Sequence, residues 1–198
     1  MRIGILGGTF NPVHAAHVQM AVAARDALGL DLVLLMVAAD PPHKRVAEAV
    51  DGARRLRMAE LAAADLPRIE ASDLELRRPG RSYTFDTLTE LHARYPGASF
   101  HWIVGSDMLL DLPTWHRVEE LFPLCEIVSF PRAGESGEDA AAAERLRRAY
   151  GARVRLLPSP VEAISSTQVR ACVRDALPTV GAMPEAVAQY VYQTGLYL

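Results

Sequence analysis

The sequence has few cysteines, no long apolar run and no surplus of basic residues, and each shortage excludes a class of protein. Its two cysteines, Cys125 and Cys172, match no disulfide, redox or metal-binding spacing, so we expect a reducing, cytoplasmic setting. No apolar run approaches the roughly 20 residues that a membrane-spanning helix needs. A formal net charge of -3 lacks the basic footprint of nucleic-acid-binding proteins. We therefore expect neither a membrane nor a nucleic-acid partner, and the sequence leaves the oligomeric state open.

The composition is that of an ordinary globular domain, with half of the residues hydrophobic and 23% charged. This length can bury a stable core, and nothing marks a linker or a repeat, so we expect one domain over residues 1–198. The small, charged stretch 133–139 is predicted to be a surface loop. Basic residues cluster locally, for example at Arg54, Arg55 and Arg57, which indicates either solvated faces or contacts with small anions.

Apolar runs alternate with helical patterns along most of the chain. Strands are predicted at 2–6, 31–38, 68–71, 99–104, 126–130 and 153–157, and helices at 15–28, 52–64, 82–95, 138–150 and from 165 onward. This alternation predicts an α/β fold, a doubly wound and mainly parallel sheet with helices on both faces. Ligands bind such sheets beyond the carboxyl ends of the strands, where the strand order reverses. The segments that follow the strands ending near residues 6, 38 and 104 should therefore converge.

The first candidate anion site follows the first strand, where residues 7–17 read GGTFNPVHAAH. A glycine turn lets the backbone approach a phosphate, and the helix beginning near Ala15 adds unpaired N–H groups. His14 and His17 project from the same side of its first turn and can hydrogen-bond phosphate oxygens as charge develops on them. We interpret the segment as a phosphate-handling device, although an arbitrary pair of histidines is more often structural.

The second candidate anion site is the segment 164–170, which reads ISSTQVR. Ser165 and Gln168 have the spacing of a capping box, which predicts a helix start. Three hydroxyl groups at a helix N-terminus, with Arg170 one turn further on, can bind an anion. Taken alone, a well-capped surface helix with solvated arginines explains the segment equally well.

These two segments resemble the nucleotidyltransferase superfamily with the T/HxGH and ISSTxxR signatures. Further segments are similar to bacterial nicotinate-nucleotide adenylyltransferases, in chain order and over nearly the whole sequence: Pro41–Lys44, Ser82–Leu88, Trp102–Asp107, Leu112–Trp115 and Tyr190–Tyr197. The resemblance implies that ATP and nicotinate mononucleotide give deamido-NAD and pyrophosphate, with Mg²⁺ held mainly by the ATP phosphates. In-line attack by the acceptor phosphate needs no covalent enzyme intermediate, so the protein supplies positioning and charge neutralisation.

The resemblance also assigns residues to roles. It implies that the catalytic residues are His14, His17 and Arg170. It implies that ATP is bound by Gly8, Thr9, Phe10, His17, Gly105, Asp107, Ser165, Ser166, Thr167 and Arg170. It implies that nicotinate mononucleotide is bound by Thr84 and Trp115, and by His43 and Lys44 from the loop after the second strand. No residue is assigned as a metal ligand.

Three positions depart from the family pattern. Asn11 stands where aspartate is usual, which keeps the ability to form a turn and loses a charge. Ala16 replaces the glycine of HxGH, a tolerable change if that glycine serves packing and a harmful one if it makes room for ATP. Ser106 replaces an alanine, and we expect this change to be small.

Several residues also have purely structural interpretations. Asp107 could be the N-cap of a short helix, and Trp115 could be a core residue. Tyr83 and Phe85 are expected to pack in the core beneath the nicotinate site.

Other functions remain open at this point. The same scaffold could adenylylate nicotinamide mononucleotide or pantetheine phosphate, although the second acceptor favours threonine in place of His14 and does not predict Ser82–Leu88 or Trp115. A dinucleotide-binding oxidoreductase, or a non-catalytic dinucleotide-binding protein, is a further alternative. It is disfavoured because residues 7–9 lack the GxGxxG spacing.

Overall fold

The sheet contains six parallel strands in the order β3-β2-β1-β4-β5-β6. The computed structural model describes residues 1–40, 50–131, 136–159 and 164–198, except for the side chain of residue 136. The strands are β1 (Arg2–Gly8), β2 (Leu32–Val37), β3 (Ile69–Ser72), β4 (Ser99–Gly105), β5 (Glu126–Phe130) and β6 (Val154–Leu156). The predicted doubly wound, parallel α/β fold is thus confirmed.

Helices connect the strands and cover both faces of the sheet. They are α1 (Ala15–Leu28), α2 (Gly52–Ala63), α3 (Leu74–Arg77), α4 (Thr84–Arg94), α5 (Ser106–Asp111), α6 (Val118–Leu121), α7 (Ser136–Tyr150), α8 (Ser166–Arg174) and α9 (Glu185–Thr194). Two short 3-10 turns, Leu112–Thr114 and Phe122–Leu124, flank α6. No helix in the described part of the chain is long and apolar enough to cross a membrane.

Alternate residues of the central strands point into two separate cores. Every residue of β2 is buried, as expected for a parallel strand covered on both faces. Val33 and Leu35 pack with side chains of α1, α2, α8 and α9 on one face. Leu34 and Met36 pack with side chains of α4, α5 and α7 on the other. The two-residue period of the strands therefore decides which helices each residue meets.

The strand order reverses between β1 and β4, which lie side by side with Leu6 opposite Ile103. β1 ends at Gly8 and β4 at Gly105, so both strands open onto the same edge of the sheet. This edge is where a doubly wound sheet binds its ligands. The fold therefore places the segments after Gly8 and Gly105 next to each other.

The predicted surface loop at 133–139 is wrong for its second half, because α7 begins at Ser136. Small and charged residues read as a loop there, but Glu138 and Asp139 lie in the first turn, where negative charge favours the helix dipole. Asp139 is fully buried, and its Oδ2 accepts a hydrogen bond of 2.5 Å from the Ser106 hydroxyl. This contact joins α7 to the start of α5.

Candidate active site

The two histidines of the opening motif lie against each other at the start of α1. His14 is the N-cap, and its backbone N–H donates to Nδ1 of His17 at 3.2 Å. The two rings stack with centroids 3.6 Å apart, and Phe10 meets His17 edge to face at 5.0 Å. Since His17 Nδ1 accepts a hydrogen bond, a neutral His17 ring carries its proton on Nε2. The rings are thus held in one orientation at a helix N-terminus.

The glycines of the turn make room for aromatic rings. A Cβ on Gly8 would lie 2.9 Å from the Phe10 ring, and a Cβ on Gly7 would lie 3.0 Å from Trp102. Aromatic rings therefore occupy the space that a side chain at either position would need. The sequence did not indicate this reason for glycine at these positions. Gly105 differs, because a Cβ there would meet nothing within 4 Å. Among these three, only Gly105 leaves open space.

The second candidate anion site lies directly against the first. The Ser166 hydroxyl donates to the Pro12 carbonyl at 2.9 Å, and Nη1 of Arg170 donates to the Asn11 carbonyl at 2.8 Å. The predicted capping box is present, with the Gln168 N–H donating to the Ser165 hydroxyl and the Ser165 N–H donating to Gln168 Oε1. Two motifs about 150 residues apart in sequence therefore form one structure. We call residues 8–17 and 165–170 the histidine site.

Arg55 holds the opening turn from the side of α2. It is only 4% exposed, and Nη1 donates to the carbonyls of Thr9 at 2.9 Å and Ala38 at 2.6 Å. Burial lowers the pKa of the guanidinium below its usual value. Its neighbours Arg54 and Arg57 are exposed and form surface ion pairs. Arg55 therefore belongs neither to a solvated face nor to a cluster open to anions.

The sequence does contain a signal for the burial of Arg55. Arg55 precedes Met58, Ala59 and Ala62 at helical spacing, and all three are buried in the core. An arginine on the apolar stripe of a helix indicates a buried guanidinium that needs several acceptors.

Asn11 is almost completely buried, at 2% exposure. Its Oδ1 accepts a hydrogen bond of 2.6 Å from the Tyr197 hydroxyl and one of 3.3 Å from the Val50 N–H. Burial raises the pKa of the Tyr197 phenol well above its usual value, although Arg170 and Arg55 oppose that shift. The neutral amide at this position is therefore an acceptor within the turn. Neither Tyr197 nor this role of Asn11 was predicted from the sequence.

Ala16 is buried in the first turn of α1, so protein covers most of its methyl group. This favours the packing interpretation of the position over one in which its side chain borders ATP. Its neighbour Ala15 donates its backbone N–H to the Ala182 carbonyl at 2.9 Å, which fixes the helix start against the segment before α9.

The segments carrying Thr84 and Trp115 lie side by side at the same edge of the sheet. Tyr83, which precedes Thr84, stacks on His116 with ring centroids 4.3 Å apart. The Arg117 guanidinium lies 3.7 Å from the centre of the Phe85 ring. The structure thus brings together the two segments predicted to bind the nicotinate ring. We call residues 82–88 and 112–117 the tryptophan site.

Tyr83 and Phe85 are half-buried, so the expectation that they belong to the core is wrong. Tyr83 contacts His116 and Phe85 contacts Arg117, and both rings remain partly exposed. Trp115 is also half-buried, and it packs against the core on the α4 face of the sheet. It is therefore a boundary residue rather than a core residue.

A buried carboxylate positions the start of α4. The Thr87 hydroxyl donates to Glu75 Oε1 at 2.6 Å and accepts from Arg78 Nη2 at 2.9 Å. Burial raises the pKa of Glu75, while hydrogen bonds from Thr87 and Ser82 and the charge of Arg78 oppose that rise. Ser82 and Thr87, which both belong to the segment 82–88, thus hydrogen-bond to the same carboxylate, that of Glu75. The sequence did not predict this contact.

The end of β2 links the two sites. The Ala38 N–H donates to the Gly8 carbonyl at 2.9 Å, and the Ala39 N–H donates to the Ser82 hydroxyl at the same distance. The histidine site and the tryptophan site therefore flank one edge of the sheet. His43 and Lys44, which follow this strand end in sequence, lie outside the described residues.

The segment after β4 removes the structural alternative for Asp107 and departs from the expectation for Ser106. Gly105 occupies the N-cap of α5 and Asp107 lies in the first turn, so Asp107 is not the cap. Ser106 is buried and donates to Asp139, so replacing the usual alanine is more than a small change. Because this hydrogen bond ties the start of α5 to α7, it helps to fix Gly105 and the exposed Asp107.

The chain matches a known protein family over most of its length. Residues 5–172 match the family described as cytidylyltransferase-like. Over its full length the chain is 44% identical to a protein of Synechococcus sp. (strain JA-3-3Ab) named probable nicotinate-nucleotide adenylyltransferase, covering 95% of that protein. A Gloeobacter violaceus protein of the same name is 43% identical, over 99% of this chain and 96% of its own. The chain therefore belongs to the nicotinate-nucleotide adenylyltransferase family.

Solved structures support the fold. The nicotinic acid mononucleotide adenylyltransferase of Plasmodium falciparum, solved with NaAD, has a TM-score of 0.78 at 18% identity, with 99% of this chain and 97% of that chain covered. Its complex with APC gives a TM-score of 0.76 at 17% identity, with 99% and 96% covered. At this level of identity the likeness concerns the arrangement of helices and strands alone.

Proposed function

We propose that this enzyme transfers the adenylyl group of ATP to nicotinate mononucleotide, giving deamido-NAD and pyrophosphate. The observation that carries the proposal is the direct contact of the start of α8 with the turn that leads from β1 into α1. Two helix N-termini, two histidines, three hydroxyl groups and an arginine are gathered there. Such a set of donors suits a polyphosphate. Relatives over 40% identical along the full length carry the name of this activity.

The reaction needs charge stabilisation more than covalent chemistry. An oxygen of the acceptor phosphate attacks the α-phosphorus of ATP, and the bond to the oxygen bridging the α- and β-phosphorus breaks. His14 and His17 contact the ATP phosphates and donate hydrogen bonds as negative charge develops. Their fixed, stacked orientation means that little reorganisation is needed when that charge appears.

The remaining phosphate contacts come from both parts of the histidine site. The backbone amides of Gly8, Thr9 and Phe10 line the nucleotide phosphates. The helix start at 165–167, together with Arg170, holds the β- and γ-phosphates that leave as pyrophosphate. Arg170 already lies against the turn through the Asn11 carbonyl, so the same side chain couples the leaving group to the histidines.

ATP and the acceptor occupy neighbouring parts of the same sheet edge. The adenosine ribose lies near Gly105 and Asp107, where the absence of a side chain at Gly105 leaves open space. Thr84 and Trp115 frame the nicotinate ring, and the half-buried indole of Trp115 stacks on it. The assignment of His43 and Lys44 to the acceptor phosphate rests on the resemblance alone.

Magnesium accompanies the nucleotide in this proposal. Among the described residues, no group of three or more His, Cys, Asp or Glu side chains could hold a metal ion. The donors that we assign to the phosphates are imidazoles, hydroxyls and a guanidinium, which suit anions. Mg²⁺ would be held mainly by phosphate oxygens and water, and it would neutralise charge on the leaving pyrophosphate. Both cysteines are free thiols, which fits the cytoplasmic setting that we expect.

An acceptor panel tests the proposal. Purified protein is incubated with Mg²⁺, ATP and either nicotinate mononucleotide, nicotinamide mononucleotide or pantetheine phosphate, and both pyrophosphate and the adenylylated product are measured. We expect the highest kcat/KM with nicotinate mononucleotide. Adenylylation of either other acceptor in preference to it would overturn the choice of substrate. Release of no pyrophosphate with any acceptor, while a dinucleotide binds, would favour a non-catalytic dinucleotide-binding protein.

A further inference from the structure

The C-terminus of the chain returns to the histidine site. After α9, Gly195 adopts the left-handed conformation (φ 66°), and the Leu196 N–H donates to the Val191 carbonyl at 3.0 Å. Leu196 is buried in the core on the α9 face of the sheet. These contacts fix the direction of the chain and place the next residue, Tyr197, beside the opening turn. Tyr197 itself has a φ of 66°, which is uncommon for a residue with a side chain.

The Tyr197 hydroxyl is bonded to the most enclosed polar side chain of the turn. It donates to Asn11 Oδ1 at 2.6 Å, and the longer bond from the Val50 N–H, at 3.3 Å, reaches the same oxygen. The Asn11 carbonyl accepts from Arg170 at 2.8 Å. Asn11 is thus held by three elements that are distant in sequence. Without the hydroxyl, its buried side-chain oxygen would lose the shorter of these two bonds.

Asn11 is one residue from the ring that supports His17. Phe10 has a φ of 49°, a conformation that needs support from the surrounding structure in a residue other than glycine. Its ring fills the space beside Gly8 and meets the edge of His17. A change in the position of Asn11 therefore changes the backbone of Phe10, and through its ring the orientation of His17.

We propose that Tyr197 is a positioning residue, whose hydroxyl holds Asn11 and thereby keeps His14 and His17 oriented for adenylyl transfer. This inference rests on the proposed function for its kinetic consequence. Its structural part, the dependence of the histidine rings on the Tyr197 hydroxyl, does not. The Tyr197 hydroxyl donates to Asn11 Oδ1, and in this proposal it acts on the histidines through Asn11 and Phe10.

The test replaces the hydroxyl alone, with Tyr197→Phe, and compares it with Tyr192→Phe. Tyr192 lies on α9 with an exposed side chain, so its hydroxyl serves as a matched control. For Tyr197→Phe we expect kcat to fall about fivefold to tenfold, while the KM for the acceptor stays within about twofold. Tyr192→Phe should match the original protein. Equal kcat values for the two variants, with both folded by circular dichroism, would overturn the inference.

A double substitution tests the route through Asn11. If the hydroxyl acts through this side chain, Tyr197→Phe should lower kcat little further in a protein that already carries Asn11→Ala. Independent, multiplying effects of the two substitutions would contradict that route. If the two substitutions only destabilised the protein, both single variants would have a lower melting temperature. Their effects on kcat would then not show this dependence on each other.

An activity-independent measurement separates the inference from the proposed function. In protein labelled with ¹⁵N at its six histidines, two-dimensional NMR reports the ring nitrogens directly. Tyr197→Phe should shift the ring signals of His14 and His17, identified by substituting each in turn, and leave that of His92 unchanged. His92 lies elsewhere, bonded to the Leu124 carbonyl. Unshifted signals would overturn the inference even if adenylyl transfer is confirmed, and inactivity with shifted signals would overturn only the function.

Discussion

The histidine site and the tryptophan site flank the same edge of the sheet but are held in different ways. In the histidine site, carbonyl oxygens of the opening turn accept hydrogen bonds from distant side chains, those of Arg55, Ser166 and Arg170. In the tryptophan site, the two segments meet through ring contacts, the stack of Tyr83 on His116 and the cation of Arg117 over a phenyl ring.

This difference corresponds to the two tasks that we propose. Donors that stabilise developing charge act best when they are fixed before the reaction, and enclosed hydrogen bonds fix them. An aromatic acceptor ring is recognised by contact area, and stacked surface side chains can adjust to it at small cost. We therefore expect substitutions in the histidine site to lower kcat, and substitutions in the tryptophan site to raise the KM for the acceptor.

The largest effect should come from His17→Ala in the histidine site. Loss of one fixed donor to the transition state should lower kcat by about 10²- to 10³-fold with the fold retained. Steady-state kinetics with both substrates, together with circular dichroism, measure this. The control is Gln19→Ala, an exposed position on the same helix. Unchanged turnover in the His17 variant would remove this residue from the mechanism.

The fold could be predicted because the strands are short and mostly apolar, with β2 apolar throughout, and because they alternate with segments of helical period. The order of the strands could not be predicted, since apolar strands do not encode which neighbour they pair with. The short helices α3, α5 and α6 have four to six residues, too few for a periodic pattern to stand out. The helix α9 (Glu185–Thr194) was not predicted from the sequence.

The motif residues of the site could be located because their chemistry is local, a cap, a turn or a pair one helical turn apart. The residues that hold the motifs could not, because Arg55, Glu75 and Tyr197 each contact groups far away in sequence. Arg55 donates to a backbone oxygen and Tyr197 donates to a single side-chain amide. Neither acceptor has a recognisable pattern in the sequence. Only the place of Arg55 on an apolar stripe hinted at its burial.

The next largest effect should come from Trp115→Ala in the tryptophan site. Losing a stacked ring should raise the KM for nicotinate mononucleotide about fivefold to tenfold and leave the KM for ATP within about twofold. Trp115→Phe keeps an aromatic face and serves as the control, with most of the affinity retained. Equal changes in both KM values would indicate that Trp115 has a structural role instead.

The smallest kinetic effect should come from Glu75→Gln, because glutamine keeps an oxygen that can accept from Thr87. The KM for the acceptor should change by no more than about twofold at neutral pH. Glu75→Ala removes that acceptor and should raise this KM more than glutamine does. If the two variants have the same KM, the hydrogen bond from Thr87 does not shape the tryptophan site.

Glu75→Gln should nevertheless change how stability depends on pH. Burial raises the pKa of Glu75 in the folded protein, so between its ordinary and its raised value the folded state binds more protons than the unfolded state. The neutral carboxyl group of Glu75 therefore stabilises the folded protein fully below the ordinary pKa of a glutamate. This stabilisation is lost as the pH rises through the raised pKa of the folded state. A glutamine is neutral throughout, so the unfolding free energy of the variant, minus that of the original protein, should increase with pH. Urea unfolding from pH 4 to 7 measures this difference in unfolding free energy. Glu70→Gln, at an exposed position, is the control. If the difference does not vary with pH, the folded environment of Glu75 does not favour its neutral form.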